Sequence, residues 1–474
     1  MAASSEFSRR HLEKVGTFFD GAPTTLNWAA RGYRESLARY YNLLIRPDAS
    51  VLEIGCGAGD LLASIRARKK VGVDLSAVQI AAARARVPEA EFHLQAGETL
   101  NLSERFDYII ISDTLNFAAD VQQLLEQLHA VSHRNTRLVF NYHSALWRPV
   151  LSLATLLGLK RGQPQSSWLA TSDIRNLLQL TQWEPIVHQH HLLCPVKCFG
   201  LETLLNRWIA PLLPFFCLTV FGVARPRWNS SATPRPLKVS VVIPARNEEG
   251  NIDAAIRRTP DMGAGTEIIF VEGHSRDGTW VKIQQAAAEN PGRQIKIMQQ
   301  TGRGKGDAVR LGFAAATGDV LMILDADLTM PPEELPKFYD VVASGRAEFA
   351  NGVRLVYPMD EKAMQFLNLC ANKTFGIIFT WLLGQPVKDT LCGTKVLSRQ
   401  HYDQITANRA YFGDFDPFGD FDLLFGAAKL NLKIADVPIR YRERAYGTTN
   451  IQRWSHGWLL LRMLWFAARK LKFT

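Results

Sequence analysis

The sequence predicts an α/β protein made of two doubly wound domains. Its 474 residues are too many for a single hydrophobic core and suit two domains of roughly 200–250 residues. Each half also begins with the same pattern, in which a short β-rich run (51–54 and again 239–243) leads into a special turn and a helical stretch. Strands that alternate with helices at this spacing indicate parallel sheets.

The segment between the halves predicts where the domains end. Residues 225–238 are rich in proline, serine and arginine and show no hydrophobic period, which is typical of an extended linker. We therefore expect a first domain at 1–224, a linker at 225–237, a second domain at 238–450 and a C-terminal helix at 451–474.

Composition limits the partners and the compartment. The formal charge of +10 and the pI of about 9.3 favour an anionic partner such as a nucleotide phosphate or a bilayer surface. No run of five basic residues is present, which argues against nucleic acid. The first 14 residues lack a secretory apolar core, and the six cysteines form no framework. No segment reaches the roughly 18–20 apolar residues of a membrane span. We expect a cytoplasmic protein, peripheral on the membrane face.

A glycine-rich turn after the first strand marks the ligand site of the first domain. Glu53 is followed by Gly55, Gly57 and Gly59, and glycines let a backbone approach a ligand closely at a helix N-terminus. Their spacing differs from the Gly-x-Gly-x-x-Gly fingerprint of dinucleotide sites. A second strand ends in Asp74, fifteen residues after Gly59, where an acid would bind ribose hydroxyls.

On these residues, the segment from about 28 to 224 resembles the class I S-adenosylmethionine-dependent methyltransferases, which have a Rossmann-like fold. The resemblance implies that S-adenosylmethionine is the cofactor and that the motif residues above bind it. It also identifies 105–113 as the family's fourth strand, with Asp113 over the methyl-transfer centre. Where many members have an acid that contacts adenine, this chain has Ala96, and Glu98 is the candidate to replace it.

The methyl acceptor stays open. Methyl transfer needs cofactor and acceptor held in line more than it needs a catalytic group, and Tyr40, Tyr41, Asn116 and Tyr142 are further candidates near the site. The alternative is a module that binds or scaffolds without turnover. The apolar stretch 146–160 is predicted to be an amphipathic helix, in the core or as a lid over the acceptor rather than a membrane anchor.

Polar turns that follow successive strands mark the ligand site of the second domain. Pro244 breaks the first strand and places the next residues outside the sheet edge, where α/β proteins bind ligands. The tail after the second strand suits a ribose or a base, and the turn 302–307 carries cations that can neutralise a diphosphate. The residues predicted to bind the substrate are Pro244, Arg246, Asn247, Glu248, Glu272, Asp277, Arg303 and Lys305.

Two carboxylates follow the next strand. The apolar run 320–324 leads into Asp325 and Asp327, and alternate residues of an extended chain point the same way. Mg2+ or Mn2+ takes oxygen ligands and is commonly shared between one or two carboxylates and substrate phosphates. The pair is therefore predicted to hold a divalent ion on a diphosphate. Taken alone, a solvated turn after a strand would give the same pattern.

Together these turns resemble the family 2 glycosyltransferases of the GT-A fold, over about residues 238–450. The resemblance implies a nucleotide-sugar donor, with Asp325 and Asp327 as the metal-binding acids. The stretch Pro244-Ala-Arg-Asn-Glu248 matches the family's opening motif. Glu272 stands where an Asp usually helps to bind the nucleotide.

The closer likeness is to the dolichyl- and polyprenyl-phosphate sugar synthases. The stretch from Asp389 to Lys395 is similar to their acceptor loop. Residues 440–450 look like their late Arg-rich motif, in which Arg442 and Arg444 would meet phosphate oxygens.

Two further acids bear on the acceptor. Asp420 and Asp422 would share one face of an extended chain, and in inverting transferases an Asp near here commonly acts as base on a hydroxyl. A lipid phosphate is already ionised near neutral pH, so one of the two acids would then position the acceptor instead.

The C-terminal stretch indicates a membrane surface. Residues 457–468 are apolar except for Arg462, too short to cross a bilayer but suited to lie in its interface. Trp458 and Trp465 share a helical face, and Trp favours headgroup depth. The residues predicted to meet anionic lipid are Arg462, Arg469, Lys470 and Lys472. The alternative is a terminal helix that docks on its own domain.

The sequence thus predicts metal-dependent, inverting transfer of a sugar from a nucleotide-sugar to a polyprenyl phosphate at the membrane surface. It also predicts S-adenosylmethionine-dependent methyl transfer by the first half. The alternative is a glycosyltransferase of a soluble or saccharide acceptor whose first half only binds or scaffolds. The sugar, the base, the methyl acceptor and the oligomeric state stay open.

Overall fold

The computed structural model describes residues 2–157, 169–227, 236–354, 366–411, 420–442, 444, 446 and 453–473. The chain divides into two compact units, Met1–Trp228 with Phe473–Thr474, and Asn229–Lys472. Each unit is built on one seven-stranded sheet flanked by helices, which confirms the predicted fold class.

The first unit has a sheet of the order β3-β2-β1-β4-β5-β7-β6. Strands β1 to β5 are parallel, and β7 runs antiparallel to both β5 and β6. In chain order its elements are α1 (Ala2–Asp20), α2 (Trp28–Leu44), β1 (Ser50–Ile54), α3 (Asp60–Ser64), β2 (Lys69–Asp74), α4 (Ala77–Arg86), β3 (Glu91–Leu94), β4 (Phe106–Ser112), α5 (Val121–Gln127), β5 (Ser132–His143), α6 (Arg148–Leu156), α7 (Thr171–Leu180), β6 (Trp183–His191), α8 (Leu201–Leu204) and β7 (Thr219–Pro226).

Alternate residues of strand β1 pack on two different cores. Val51 joins a cluster that contains Tyr41 of α2, whereas Leu52 and Ile54 join a cluster that contains Leu124 of α5. A strand covered by helices on both faces has a continuous apolar sequence, as β1 does. The strand order reverses between β1 and β4, and ligand sites of doubly wound sheets lie at such a point.

The second unit has a sheet of the order β10-β9-β8-β11-β13-β12-β14. The first four of these strands are parallel, β13 is antiparallel to β11 and β12, and β14 is parallel to β12. In chain order its elements are β8 (Val239–Ala245), α9 (Ile252–Arg258), β9 (Thr266–Glu272), α10 (Thr279–Glu289), β10 (Gln294–Gln299), α11 (Lys305–Ala315), β11 (Val320–Ile323), α12 (Leu335–Ala343), β12 (Phe349–Val353), α13 (Phe366–Leu383), β13 (Lys395–Ser398), α14 (Arg399–Ala407), α15 (Asp420–Lys429), β14 (Ile434–Pro438) and α16 (Arg453–Leu471).

The parallel strands of the second unit are also covered on both faces. Val241 and Ile243 of β8 pack in a cluster with Ile252 of α9. On the opposite face α11 lies so close that a Cβ on Gly312 would overlap Val242. The carboxyl ends of β8, β9 and β11 therefore open side by side at one edge of the sheet, again where the strand order reverses.

Helix α6 differs from its prediction. The sequence predicts an amphipathic helix at 146–160 in the core or over the acceptor, and α6 begins at Arg148 and ends at Leu156. None of its side chains is buried, so the core prediction is wrong. Residues 158–168 lie outside the described residues.

The two acids Asp420 and Asp422 open helix α15 and are not part of an extended chain. Positions two residues apart lie about 200° apart around a helix axis, so the prediction of a shared face is wrong. Asp422 is buried, and its Oδ2 accepts a hydrogen bond of 2.9 Å from Arg409 Nε. The side chain of Asp420 lies outside the described side chains.

Helix α16 docks on its own domain through Met463, Ala467 and Ala468, which are buried. Trp465 and Arg469 are exposed, together with Leu461 and Arg462, on the opposite stripe. The side chain of Trp458 lies outside the described side chains. The helix therefore docks on its own domain, which was the alternative prediction, and it also exposes a stripe of apolar and basic side chains.

Two of the basic residues predicted to meet lipid are engaged within the domain. Lys470 Nζ lies 4.9 Å from the centroid of the Tyr411 ring. Lys472 is buried with its Nζ 5.7 Å from the centroid of Trp381, and burial lowers the pKa of Lys472 to about 7. Within the described residues, no helix has both the length and the apolar character that crossing a membrane requires.

Candidate active sites

The loop between β1 and α3 forms the base of the first site. The Asp74 carboxylate at the end of β2 accepts a hydrogen bond from Gly57 N at 2.7 Å and another from Ser76 N at 2.9 Å. Gly57 has a φ of 53°, and a Cβ there would meet no atom within 4 Å. The predicted glycines and ribose-binding acid are therefore brought together beside open space, which suits a nucleoside ligand.

Glu53 lies on β1 at the same edge and is buried. Burial raises the pKa of its carboxyl to about 8, while the nearby Arg34 guanidinium opposes the rise. Its Oε2 is buried and has no hydrogen-bond partner among the described residues. A buried acceptor without a partner is costly, and a ligand ammonium would satisfy it. The residues present thus fit S-adenosylmethionine, which carries such a group.

Glu98 does not stand free at the adenine side of the site. It is buried, and its Oε1 accepts a hydrogen bond from Ala119 N at 2.8 Å. Gln123 Nε2 donates to the Glu98 carbonyl oxygen at 3.2 Å. Glu98 therefore fixes the loop before α5, which gives it a structural role in addition to the adenine contact that the sequence predicts.

A polar cluster lies at the carboxyl ends of β4 and β5. Asp113 has a φ of 55°, a conformation that is uncommon for non-glycine residues. Its Oδ1 accepts hydrogen bonds from Asn141 Nδ2 at 2.6 Å and from Tyr33 OH at 3.1 Å. His143 Nε2 lies 3.3 Å from Tyr33 OH and 3.7 Å from Asp113 Oδ1, and Arg34 Nη1 lies 3.7 Å from Asp113 Oδ2.

Sequence reasoning missed four members of this cluster, Tyr33, Arg34, Asn141 and His143. Tyr33 and Arg34 come from α2, about 80 residues before Asp113, and no local motif marks them. Of the other acceptor candidates, Tyr40 bonds to Gln189 and Tyr142 to Thr171, away from Asp113. Tyr41 donates to Asn141 Oδ1 at 2.7 Å and so supports the cluster.

In the second unit, the loops after β8 and β9 bind each other. Asn247 N donates to Ser275 Oγ at 3.0 Å, and Arg276 N donates to Asn247 Oδ1 at 2.8 Å. Glu248 N donates to Thr279 Oγ1 at 2.9 Å. The half-buried Pro244 lies within β8, which continues to Ala245 and pairs there with β9, so the prediction that Pro244 breaks this strand is wrong. Arg246 is exposed just after the strand. The two predicted substrate loops therefore form one surface.

Two residues predicted to bind the substrate, Glu272 and Asp277, accept hydrogen bonds from backbone N–H groups of these loops. Both carboxylate oxygens of the buried Glu272 accept hydrogen bonds, from Ser275 N and from Gln299 Nε2. Burial alone would raise its pKa, but these hydrogen bonds prevail and lower the pKa of Glu272. Asp277 Oδ1 accepts a hydrogen bond from Thr279 N at 3.1 Å at the start of α10.

The two carboxylates after β11 are both ion-paired. Asp325 Oδ1 lies 2.7 Å from Lys305 Nζ, and Asp327 Oδ2 lies 2.7 Å from Arg444 Nη2. Arg444 Nη1 also lies 2.9 Å from Glu248 Oε1. Three segments that are distant in sequence thus converge on the segment that carries the predicted pair. Arg303 is exposed on the same turn as Lys305.

The ionisation of Asp325 and Asp327 bears on which metal ions they can bind. Burial would raise the pKa of Asp325, but Lys305 and other cations prevail and lower it, so Asp325 is ionised. Among the described residues no group of three or more His, Cys, Asp or Glu side chains forms a metal cage. Carboxylate oxygens are ligands of Mg2+ and Mn2+, so the donor set of Asp325 and Asp327 fits either ion when it is shared with diphosphate oxygens.

The predicted acceptor loop is held by buried side chains. Asp389 is buried and accepts hydrogen bonds from Arg354 Nε at 2.7 Å and Nη2 at 2.9 Å. Lys395 is also buried and donates to the Cys392 carbonyl oxygen. Neither side chain reaches the surface, so both would act by shaping the loop, which differs from the predicted direct contact. Arg354, at the end of β12, was missed.

The same loop also packs against Asp325, one of the two carboxylates predicted to bind the metal ion. Gly393 lies so close to Asp325 Oδ2 and Lys305 Nζ that a Cβ on this residue would overlap both atoms. Arg442 differs from Arg444: its backbone N donates to Thr329 O at 2.9 Å, and its side chain is exposed.

Comparison with known proteins agrees with this arrangement. Residues 240–406 match the family described as "Glycosyl transferase family 2", and residues 45–182 match the one described as "Methyltransferase domain". The chain therefore joins an N-terminal methyltransferase domain to a C-terminal family 2 glycosyltransferase domain, both of transferase families, and this prediction is confirmed.

Curated relatives match the second half. A dolichol-phosphate mannosyltransferase of Pyrococcus furiosus is 30% identical over 224 residues, which cover 46% of this chain and 60% of the relative. An undecaprenyl-phosphate 4-deoxy-4-formamido-L-arabinose transferase of Pectobacterium carotovorum is 38% identical over 215 residues, 44% of this chain and 62% of the relative. The chain thus spans under two thirds of these relatives.

Solved structures were matched for each half. A S-adenosylmethionine-dependent methyltransferase of Thermotoga maritima, titled a possible histamine N-methyltransferase, has 16% identity and a TM-score of 0.33 and covers 42% of this chain and 93% of its own. A glucosyl-3-phosphoglycerate synthase of Mycobacterium tuberculosis with Mn2+ and UDP has 20% identity and a TM-score of 0.37, covering 50% and 78%.

Proposed function

We propose that the second half transfers a sugar from a nucleotide-sugar to a polyprenyl phosphate. The observation that carries the proposal is the convergence of Glu248, Lys305 and Arg444 on Asp325 and Asp327. Carboxylates and cations in one cleft suit a diphosphate with its metal ion. The names of the curated relatives, which transfer sugars to dolichol phosphate and undecaprenyl phosphate, support this acceptor class.

In this proposal Asp325 and Asp327 hold Mg2+ or Mn2+, which when bound neutralises charge on the departing nucleoside diphosphate. Lys305 and Arg444 exchange their carboxylate partners for phosphate oxygens when the donor binds, because a diphosphate brings the negative charge that both cations need. The loops at Asn247 and Asp277 bind the nucleoside part.

The acceptor chemistry needs no general base. A phosphate oxygen is already ionised near neutral pH, and in-line attack on the anomeric carbon gives inversion. Asp422 is bound to Arg409, which supports an acceptor that is ionised on arrival over a hydroxyl that needs deprotonation. Arg442, exposed at the mouth of the site, meets the acceptor phosphate.

The first half binds S-adenosylmethionine through Glu53, Asp74 and the glycine loop and transfers its methyl group. The Asp113, His143 and Tyr33 cluster supports turnover over a scaffold role, because it offers groups that accept a proton from an acceptor hydroxyl or amine. The acceptor lies at the ends of β4 and β5 in this proposal.

The protein works at the cytoplasmic face of a membrane. The exposed stripe of α16 contacts that membrane. Leu461 and Trp465 provide apolar contact and Arg462 and Arg469 provide charge, the combination found in helices that lie in a bilayer interface.

Calorimetric titration of nucleoside diphosphates with Mn2+ tests the donor site. We expect saturable binding that needs Mn2+ and that weakens about a hundredfold in Asp327→Asn, which removes one charged ligand but keeps the shape. Tight binding of the diphosphate without Mn2+, or no effect of the substitution, would contradict the proposal.

A further inference from the structure

An apolar surface on the first unit has no partner among the residues of that unit that the structure describes. Helix α6 and its flanks carry Leu146, Val150, Leu153, Leu156 and Leu157, all exposed. Four of them, at positions 146, 150, 153 and 157, repeat at the three- and four-residue spacing of one helical face. A helix that exposes its apolar side chains and buries none of them indicates an interaction surface for a protein or a membrane.

A second exposed segment continues this surface. Leu212, Leu213, Phe215 and Phe216 are exposed around the short helical turn Pro214–Phe216. Trp147 Nε1, at the start of α6, donates to the Phe216 carbonyl oxygen at 2.9 Å. The two segments are therefore neighbours, and we call the surface formed by their exposed residues the α6 face.

The charge of the α6 face suits an anionic partner. Residues 145–157 contain one charged residue, Arg148, and residues 205–218 contain one, Arg207. Arg148 is exposed, whereas Arg207 is half-buried and its Nε donates to the Phe473 carbonyl oxygen at 2.9 Å. Neither segment contains an acidic residue. Apolar side chains flanked only by positive charge are typical of segments that lie in the headgroup region of an anionic bilayer.

The α6 face also lies near the methyl-transfer centre. Strand β5 ends at His143, and α6 begins at Arg148. Ser144 N between them donates to Leu218 O at 2.7 Å. A bilayer on the α6 face would therefore bring lipid-borne molecules close to the Asp113 cluster.

We propose that the α6 face docks the methyltransferase half on an anionic bilayer surface, independently of α16. The occupant is the bilayer, because exposed apolar side chains beside the exposed Arg148, with no acidic residue in either segment, suit the headgroup region of an anionic bilayer. The proposal goes beyond sugar transfer, since it assigns a membrane contact to the other half of the chain.

Vesicle co-sedimentation of the full chain tests this proposal. The background is Leu461→Ser with Trp465→Ser, which removes the outward stripe of α16, and the vesicles contain phosphatidylcholine and phosphatidylglycerol. In this background we expect binding to persist and to fall about tenfold on adding Leu156→Ser and Phe215→Ser, which are 83% and 67% exposed. Vesicles of phosphatidylcholine alone should bind more weakly.

The matched control replaces equally apolar residues elsewhere. Leu180→Ser with Val281→Ser, 57% and 54% exposed, should leave vesicle binding unchanged. Light scattering reports whether the α6 face joins two copies instead, and sugar transfer in detergent, which needs no bilayer, reports whether the glycosyltransferase half is intact.

Three outcomes would overturn the proposal. The first is no vesicle binding in the background chain, and the second is equal loss in the α6-face and control variants. The third is unchanged vesicle binding when Leu156→Ser and Phe215→Ser convert a dimer to a monomer. If the native chain shows no sugar transfer in detergent, that result counts against the proposed glycosyltransferase function and not against the α6 face.

Discussion

Arg444 is the side chain on which the motifs of the second half meet. It donates to Glu248 in the loop after β8 and to Asp327 in the loop after β11. Its neighbour in the Arg-rich motif, Arg442, makes no such bridge and is exposed. Two arginines that the sequence treats alike therefore have different surroundings, which predicts different kinetic effects.

We expect Arg444→Gln to weaken donor binding and to lower kcat/KM for the nucleotide-sugar about a hundredfold, because it removes a charge that binds two carboxylates and then phosphate. Arg442→Gln should raise KM for the polyprenyl phosphate about three- to tenfold and leave nucleoside diphosphate binding unchanged, as expected for one exposed cation. Steady-state kinetics with each substrate varied separately would check this. Identical effects of the two substitutions would contradict it.

Glu53 makes the cofactor affinity of the first half depend on pH. Its pKa of about 8 in the free protein, raised by burial, means that the carboxyl is mostly protonated at pH 7. A ligand ammonium favours the ionised carboxylate, so S-adenosylmethionine should release this proton and bind more tightly as pH rises towards 8.

Calorimetry at pH 7 in buffers of different ionisation enthalpy measures the released proton. We expect about one proton for the native protein and about one fewer for Glu53→Gln, which keeps the shape but cannot ionise. Equal proton release by the two proteins would rule out this role of Glu53.

At the level of elements, the loop between α13 and β13 links the acceptor motif to the carboxylates Asp325 and Asp327. Arg354 anchors Asp389 below the loop, and Gly393 touches Asp325 above it. Both contacts are made by backbone shape and a buried ion pair, so a small displacement of the loop would move the Asp325 carboxylate.

Gly393→Ala should lower sugar transfer about tenfold to a hundredfold, because its Cβ overlaps Asp325 and Lys305 and displaces groups that must be placed within a fraction of an ångström. Gly292→Ala is the matched control, since a Cβ there meets nothing within 4 Å. Activity and circular dichroism of both variants check the prediction. Full activity of Gly393→Ala would show that the loop does not position the pair.

Elements with local signals were predicted well, and those without were not. The strands before Gly55 and before Asp325 are apolar runs ended by special turns, so their place at the sheet edge follows from sequence. Helix α6 has an amphipathic pattern too, but whether its apolar face is buried depends on distant segments. The pairing of Asp422 with Arg409 and of Asp389 with Arg354 depends in the same way on the fold.

At the scale of the whole molecule, each site is built from the residues of one unit. Glu53, Asp74 and Asp113 lie in the first unit, and Asp325 and Asp327 lie in the second. Sites that share no residues usually respond independently to substitution. The order of the two halves was predictable because each carries its own motifs, whereas the contribution of Tyr33 and His143 to the first site was not.

We therefore expect Asp327→Asn to leave the dissociation constant for S-adenosylmethionine unchanged within about twofold. Glu53→Gln should likewise leave sugar transfer unchanged. Calorimetry and a sugar-transfer assay on the same two preparations check both statements. A large effect across the two units would show that the sites are coupled.

We propose above all that Asp325 and Asp327 form the metal-binding part of a polyprenyl-phosphate glycosyltransferase. The most direct measurement incubates the full chain with Mn2+, polyprenyl phosphate in detergent and a panel of radiolabelled nucleotide-sugars, and counts the label extracted with the lipid. We predict transfer from one of the donors that is lost on removal of Mn2+ and in Asp325→Ala and Asp327→Ala, with folding retained. Transfer that persists in both variants, or no transfer from any donor in the panel, would contradict the claim.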